Sequence, residues 1–320
     1  MQEPTHCDCK IYDLEYYQDE GLHTLEAFAE GKFKIAGKLE VERKYIKSGD
    51  SKLEIAKGLT GGNFTYYTKV SNIEDSSRAA RGQVGIVHGF SEESDIFLEL
   101  AYQLALNNFT VHLIDTDAYG FSSGVRGQGP NVEKFHHNLT ALIGEFSEGL
   151  PTFLYGNSMG CLIIATFLLN NPSLKLQGLV FSSPFFEFAE HIGVTWDRKI
   201  VARAMAPTLE LFAMQGTVMV HRVGRDMNYI RKALQQRKSF TIINMQGLVN
   251  LMDALEYLQG NVSRFSFPFL MMQGSEDRIV SNQGALNWYS QLPSSVPREK
   301  EMFPSMVHEL HKEPGKEKVY

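Results

Sequence analysis

The 320-residue chain has only three cysteines, Cys7, Cys9 and Cys161, which excludes a disulfide-stapled scaffold. Cys7 and Cys9 are too close together for an ordinary bridge and do not have metal-ligand spacing, so we predict free thiols. No apolar run approaches the roughly 20 residues that span a bilayer, and residues 1–10 lack the charged and apolar regions of a signal peptide. These absences predict a cytoplasmic protein.

An excess of positive charge is also missing. The chain has 31 Lys and Arg against 37 Asp and Glu, which gives a formal net charge of -6. Because phosphate backbones are bound by a clustered positive field, we predict no nucleic-acid partner. The hydrophobic content of 43% and the charged content of 21% are typical of folded globular proteins, so disorder and coiled coils are disfavoured as well.

From about residue 58 onward, short apolar stretches alternate with amphipathic ones. The predicted strands are FTYYTKV, VGIV, FTVHLID, TFLY, LQGLVFSS and FPFLMMQG. Apolar residues at helical spacing lie between several of them, for example over 94–106 and after a capping residue, Asn131. Repeated strand and helix units build a mostly parallel sheet with helices on both faces, so we predict a doubly wound α/β domain over residues 58–320.

Two regions depart from this alternation. Residues 1–57 are charged and poorly periodic, which predicts a loosely packed N-terminal extension. Between about residues 187 and 262 the alternation stops, and a helix-rich segment with several methionines precedes the last strands. An inserted helical cap accounts for that segment.

Two GxSxG pentapeptides occur, and their surroundings separate them. In a nucleophile elbow, the glycines permit a strained turn between a strand and a helix that exposes the serine hydroxyl. Ser158 lies between the apolar segments TFLY and MGCLIIATFLL. Ser122 instead precedes GVRGQGPN, a stretch that a helix would not tolerate. We therefore predict that Ser158 is a catalytic nucleophile.

A serine nucleophile needs a base, and the base needs an orienting acid, in the chain order Ser, acid, His. Asp277 follows the strand FPFLMMQG, at the end of a strand where α/β folds concentrate their sites, and His308 comes after a further helix and strand. Glu276 is the alternative acid. His311 is the alternative base, although its HKEPGKEK surroundings indicate a solvent-facing position. We predict Asp277 and His308 as the catalytic acid and base.

The tetrahedral intermediate of acyl transfer also needs hydrogen-bond donors for its oxyanion. In an elbow site, these are the amide after the nucleophile and an amide from the loop after an earlier strand. The corresponding residues are Met159 and Phe90, the latter in the HGF turn directly after VGIV. The alternative is that HGF forms an ordinary turn with no role in catalysis.

Taken together, these segments resemble the monoglyceride lipases and their lysophospholipase-like relatives among the α/β-hydrolases. VGIVHGFSEESDIFLELA is similar to the family's oxyanion strand and loop, and IDTDAYGFSSG to the loop after its next strand. LYGNSMG resembles its elbow, while FPFLMMQGSEDRIV and MVHELHKE resemble its acid and histidine segments. The resemblance extends over about residues 64–313. It implies the α/β-hydrolase fold, a lipid ester substrate, no cofactor and a mobile apolar cap.

Five positions depart from the family's usual pattern without removing a predicted triad member. Ser91 and Glu93 stand where the family usually has Gly and His, and Ala118 and Tyr119 stand where Gly and His are also usual. Asn157 replaces a common His. These departures concern substrate preference.

The sequence thus predicts a serine esterase or lipase, and the resemblance implies hydrolysis of monoacylglycerol to fatty acid and glycerol. A lysophospholipase, with Arg222, Arg225 and Arg231 of the cap as phosphate ligands, or a general carboxylesterase is the alternative within the enzyme class. A non-catalytic hydrolase-fold protein that binds a small ligand is the alternative from another class. The apolar stretch 201–220 predicts transient contact of the cap with a membrane or lipid-droplet surface, and so a peripheral membrane location.

Overall fold

A computed structural model describes residues 42–48, 51–60, 65–73, 80–124, 130–190, 196–206, 213–215, 223–226 and 242–320. Cys7 and Cys9, most of the predicted N-terminal extension, and Arg222 and Arg231 of the predicted cap lie outside these residues.

Eleven strands are found in the described residues. They are β1 (Glu42–Ser48), β2 (Ser51–Thr60), β3 (Thr65–Asn72), β4 (Gly82–Val87), β5 (Phe109–Ile114), β6 (Thr152–Asn157), β7 (Gly178–Ser182), β8 (Ala213–Gln215), β9 (Ile242–Asn244), β10 (Phe269–Gly274) and β11 (Arg298–Phe303). Nine of them form one sheet in the order β1-β2-β3-β5-β4-β6-β7-β10-β11, and β8 and β9 form a separate antiparallel pair. The strands from β5 to β11 in this sheet are mutually parallel, which confirms the predicted mostly parallel sheet.

Helices connect the parallel strands. They are α1 (Leu98–Leu106), preceded by a 3-10 turn (Ser94–Phe97), then α2 (Val132–Gly144), α3 (Met159–Asn170), α4 (Trp196–Met205), α5 (Met245–Gly260) and α6 (Asn282–Gln291). Asn131 caps α2 as predicted, because its side-chain oxygen accepts the Lys134 N–H at 3.0 Å. Helix α3 is buried from Met159 through Leu169, which explains why its sequence is apolar on all sides.

The sheet begins earlier than the boundary at residue 57 that the sequence predicts. β1 and β2 pair as antiparallel strands, and β2 also pairs with β3. Leu53 and Ile55 of β2 are buried, as is Lys57, whose ammonium contacts the Asp95 carboxylate at 2.9 Å. Because a charged residue occupies an inward position, the alternation of this strand is hidden in the sequence.

The predicted cap, residues 187–262, contains α4, α5 and the β8-β9 pair. Helix α4 packs against α5 through a small cluster formed by Ala202, Ala206, Val249 and Met252. The opposite side of α4 carries Ile200 and Val201, each 55% exposed, and Met205, 41% exposed. Among the described residues, no helix has the length and apolar character needed to cross a membrane. The division of the chain into extension, core and cap stays a prediction.

Candidate active site

Ser158 lies in the tight turn between β6 and α3, with φ 51° and ψ -115°. A non-glycine residue with this positive φ costs about 1 to 3 kcal/mol, which the surrounding structure must offset. Two flanking glycines make the turn possible: a Cβ on Gly156 would lie 2.8 Å from the Cys161 nitrogen, and a Cβ on Gly160 would overlap the Val87 carbonyl oxygen. The structure therefore has the backbone strain and the close approaches of an elbow at this serine.

Asp277 and His308 are joined by a hydrogen bond of 2.7 Å between Asp277 Oδ2 and His308 Nδ1. The other carboxylate oxygen, Oδ1, accepts the N–H groups of Ile279 at 2.8 Å and Val280 at 3.3 Å. The Asp277 side chain is completely buried, and His308 is nearly so. Since a carboxylate only accepts, Nδ1 donates this bond, and the free Nε2 is left as the basic nitrogen.

The turn after β7 connects this pair to the elbow. The Ser158 N–H donates to the Ser182 carbonyl oxygen at 2.9 Å, and the next residue, Ser183, donates its hydroxyl to the His308 carbonyl oxygen at 2.6 Å. Two adjacent residues at the end of one central strand thus hold the backbones of Ser158 and His308. The three predicted triad residues follow β6, β10 and β11, with β7 between the first two of these parallel strands.

The pKa of His308 is raised above its ordinary value of 6.5. Burial alone would lower this pKa, but the negative charge of Asp277, the hydrogen bond to Asp277 and the smaller effect of the Glu92 charge together outweigh burial. The imidazolium is thus stabilised in place, which is what a general base needs while it holds a proton.

The two alternative residues have different surroundings. Glu276 is half exposed and points towards Arg225, with Glu276 Oε2 3.9 Å from Arg225 Nη1. His311 is fully buried, contrary to the solvent-facing position that the sequence predicts, and stacks on Phe97 with ring centroids 4.4 Å apart. Burial lowers the pKa of His311 well below 6.5, and the nearby positive charges of Lys312 and Lys316 act in the same direction. A neutral, stacked ring of this kind is a packing element.

Ser122, the serine of the second GxSxG sequence, is also buried, and its hydroxyl both donates and accepts a hydrogen bond. Its hydroxyl donates to the Asp115 carbonyl oxygen at 2.5 Å and accepts the Tyr66 N–H at 2.7 Å. The Asp115 carboxylate in turn accepts the N–H groups of Ser94 and Phe121, each at 2.7 Å. Ser122 thus belongs to a hydrogen-bonded loop that ties the ends of β4 and β5 together.

The predicted oxyanion donors lie on the two sides of Ser158. Met159 begins α3, and Phe90 lies in the turn after β4. Among the described residues, neither backbone N–H has an acceptor. The turn is held by Glu92, a buried residue whose carboxylate accepts the Gly89 N–H at 2.5 Å and the Asn157 side-chain amide at 3.2 Å. Such a fixed turn presents its next amide in one orientation.

Two of the departures from the family's pattern fall where the backbone favours glycine. Ser91 has φ 63° and Ala118 has φ 66°, both in the left-handed region, and these are positions at which the family usually has Gly. Ala118 donates its N–H to the Ser123 carbonyl oxygen at 2.6 Å and so closes the loop after β5. These substitutions add backbone strain without removing a functional group.

Sequence reasoning missed three side chains that support the site: Glu92, Asp115 and Ser183. All are buried polar residues directly after buried strands or in the turns that follow them. The signal available in the sequence was their position after apolar strands, where polar side chains must find hydrogen-bond partners.

Comparisons with known proteins identify the family of the chain. The family model described as serine aminopeptidase, S33 (Hydrolase_4) matches residues 78–315. An uncharacterized abhydrolase domain-containing protein of Dictyostelium discoideum is 22% identical over 234 residues, which cover 73% of this chain and about a quarter (25%) of that protein's length. Human monoglyceride lipase is 25% identical over 239 residues, which cover 71% of this chain and 75% of the lipase.

One solved structure of a lipase has a similar fold. The crystal structure of Paleococcus ferrophilus monoacylglycerol lipase aligns with a TM-score of 0.70 at 22% identity, and the alignment covers 80% of this chain and 95% of that one. The two chains therefore share one fold.

Proposed function

Because the chain belongs to the serine aminopeptidase S33 (Hydrolase_4) family of α/β-hydrolases, we propose that this carboxylic-ester hydrolase cleaves monoacylglycerol into fatty acid and glycerol. The observation that carries the proposal is Ser158 in its strained turn, connected through Ser182 and Ser183 to a buried pair, Asp277 and His308, whose side chains are 2.7 Å apart. The named lipase activity of the human relative supports the choice of substrate class.

In the proposed mechanism, Ser158 attacks the ester carbonyl while His308 Nε2 accepts the hydroxyl proton. Asp277 stabilises the resulting imidazolium through Nδ1, and the amides of Phe90 and Met159 donate to the oxyanion. His308 then returns the proton to the departing glycerol oxygen. A water molecule, deprotonated by the same nitrogen, cleaves the acyl-enzyme and regenerates Ser158.

A hydrolysis panel tests the proposed substrate. Monoacylglycerols, diacylglycerols and lysophospholipids of matched acyl chain are incubated with the purified full chain, and fatty acid release is measured. The proposal expects the highest kcat/KM on monoacylglycerol. A higher value on lysophospholipid would favour the phosphate-binding alternative, for which Arg225 offers little support because the buried carboxylate of Glu313 already engages its guanidinium.

The non-catalytic alternative is separated from an esterase by a fluorophosphonate probe. An activated Ser158 forms a stable phosphonyl adduct, whereas a serine that only lines a ligand site stays unmodified. Stoichiometric labelling at Ser158, located by peptide mass spectrometry, supports the esterase. An unlabelled but folded protein supports the binding protein.

The pH dependence of hydrolysis follows from the raised pKa of His308. The base must be neutral to accept the Ser158 proton, so kcat/KM is lost as the pH falls through the pKa of the folded enzyme. Because Asp277 and Glu92 raise that pKa, we expect the midpoint of the acid limb above 6.5. Initial rates on a soluble short-chain ester between about pH 5 and pH 9 measure it. A midpoint at or below 6.5 would contradict the proposed role of this pair.

The cap supplies the proposed contact with lipid. Ile200, Val201 and Met205 lie on one side of α4 and are large apolar side chains exposed to solvent, which is costly unless a surface covers them. We propose that this side of α4 touches a membrane or lipid-droplet surface while the substrate enters.

Charged residues at this position test the contact. The double variant Ile200→Glu and Val201→Glu is expected to bind phosphatidylcholine vesicles about 30-fold more weakly, because burial of the exposed part of each aliphatic side chain contributes on the order of 1 kcal/mol. Vesicle cosedimentation and hydrolysis of long-chain monoacylglycerol measure the effect. Met302→Glu, at a 39% exposed residue of β11 outside the cap, is the matched control. Unchanged vesicle binding, or an equal loss on a soluble short-chain ester, would rule out the interfacial role.

A further inference from the structure

A short stretch of the cap, residues 223–226, is hydrogen-bonded to the loop that carries His308. The Val223 carbonyl oxygen accepts the Glu309 N–H at 2.9 Å. The Arg225 N–H donates to Glu313 Oε1 at 2.7 Å, and Arg225 Nε donates to Glu313 Oε2 at 3.0 Å. Two carboxylate oxygens of one residue thus hold both the backbone and the side chain of Arg225.

Glu313 also makes a hydrogen bond within the loop that carries His308. Its Oε2 also accepts the N–H of Val307, the residue before His308, at 3.2 Å. The Glu313 side chain is completely buried, so the Arg225 guanidinium is its compensating charge. The carboxylate therefore links the cap directly to the backbone that orients the His308 ring.

The guanidinium reaches the loop of the catalytic acid as well. Arg225 Nη1 lies 3.9 Å from Glu276 Oε2, and the Glu276 N–H donates to the Met306 carbonyl oxygen at 2.9 Å. Arg225 thus spans the loops that carry Asp277 and His308. From the sheet side, the Ser183 hydroxyl donates to the His308 carbonyl oxygen at 2.6 Å.

We propose that Arg225 is a positioning residue that couples docking of the cap to the alignment of His308 with Asp277. The histidine loop is held by Ser183 and the Glu276 N–H on one side and by residues 223–226 on the other, so undocking of residues 223–226 releases one side of the loop. A displacement of about 1 Å at a catalytic group lowers the rate up to about 100-fold, because the reacting atoms no longer meet in line. The inference rests on the proposed triad and deepens it.

An exposed ion pair would have no such effect, and the cap provides one for comparison. Arg203 of α4 contacts Asp253 at 2.5 Å and Glu256 at 2.9 Å, both on α5 and both largely exposed. Exposed pairs of this kind contribute little to stability. Since Arg203 touches neither catalytic loop, Arg203→Ala is the matched control for the loss of a cap arginine.

The experiment compares Arg225→Ala, Arg225→Lys and Arg203→Ala in the full chain on a soluble short-chain ester. Arg225→Ala is expected to lower kcat about 10- to 100-fold with little change in KM, because the small ester does not depend on the cap for binding. The acid limb of kcat/KM should also move to lower pH, since a misaligned Asp277 raises the pKa of His308 less. Arg225→Lys should recover part of kcat, and Arg203→Ala should stay within about twofold of the original enzyme.

The pH readout separates positioning from general stability. The charges that raise the pKa of His308 are those of Asp277 and Glu92, and the variants keep both of them, together with the nearby Lys312, Glu313 and Lys316. Arg225→Ala with an unchanged kcat, or with a lower kcat but an unmoved acid limb, would overturn the proposal. If Arg225→Ala does not fold, Arg225→Gln keeps one donor without the charge and is judged by the same two readouts. An original enzyme that neither hydrolyses the ester nor reacts with fluorophosphonate would instead overturn the proposed function.

Discussion

Ser158→Ala is expected to lower kcat for ester hydrolysis by about 10⁴- to 10⁶-fold, because the acyl-enzyme can no longer form. The fold should be retained, since the Ser158 backbone bonds to Ser182, Cys161 and Phe185 do not involve the hydroxyl. Initial rates on monoacylglycerol and on a short-chain ester, with circular dichroism as a check on folding, measure the loss. The fluorophosphonate adduct should disappear in the same variant.

Ser122→Ala is the control that the sequence itself supplies. Its hydroxyl makes two buried hydrogen bonds, so the variant should lose about 1 to 3 kcal/mol of stability while it keeps most of its turnover at temperatures where it is folded. If folded Ser122→Ala were inactive and Ser158→Ala retained its rate, the assignment of the nucleophile would be wrong.

Asp277→Asn and His308→Ala are expected to lower kcat by about 10⁴-fold or more, because the triad acts as a unit. An asparagine donates through its amide nitrogen or accepts without charge, so the His308 imidazolium loses its main stabilisation and Nδ1 can lose its proton. Steady-state kinetics on the short-chain ester, together with thermal unfolding, separate a catalytic loss from a folding defect.

Glu276→Gln and His311→Asn are the neighbouring controls for these two variants. Glu276 is half exposed, and the ring nitrogens of His311 have no hydrogen-bond partner among the described residues, so neither change removes a bond from the catalytic pair. Both should keep at least about a tenth of the original kcat wherever they are folded. Full activity in His308→Ala would refute the choice of base.

The regular elements of the core were predictable because their patterns are local. The strand before Ser158 and the apolar helix after it are both short-range features, and both lie where the sequence predicts them. The same local reasoning separates Ser158 from Ser122, whose glycine-rich neighbours predict the loop that the structure contains. Only the edge of the sheet was misplaced, because inward-facing Lys57 disguised a strand.

The burial of His311 was not predictable from its surroundings. The charged residues that follow it suggest a solvated tail, but they find partners: Lys312 and Lys316 contact Glu99 at 3.8 and 2.5 Å. With those charges paired, the 3-10 turn Leu310–Lys312 places the imidazole on Phe97. The local sequence shows that the segment after His311 is charged. The burial of His311, however, depends on Glu99 of α1 and Phe97 of the preceding turn, which are distant in the chain.

The contacts that hold the loops of the proposed triad could not be predicted from the sequence, because the residues that make them are far apart in the chain. Ser183 and His308 are 125 residues apart, and Arg225 and Glu313 are 88 residues apart. A single sequence contains no signal for such pairs, since either residue alone is an ordinary serine, arginine or glutamate. The sheet order, which brings β7 beside β10 and β10 beside β11, makes Ser183 and His308 neighbours. Arg225 and Glu313 meet because residues 223–226 lie against the loop after β11.

The glycine after the elbow methionine sets a limit for any attempt to redesign this enzyme. Because a single added carbon at Gly160 would overlap the Val87 carbonyl oxygen, the first turn of α3 sits against the end of β4 with no spare volume. The spacing between the amides of Phe90 and Met159 therefore depends on the lack of a Cβ atom at position 160. Position 160 must therefore stay glycine in any redesign, since a bulkier residue there would move the proposed oxyanion donor Met159 away from Phe90 while every proposed catalytic side chain remained in the sequence.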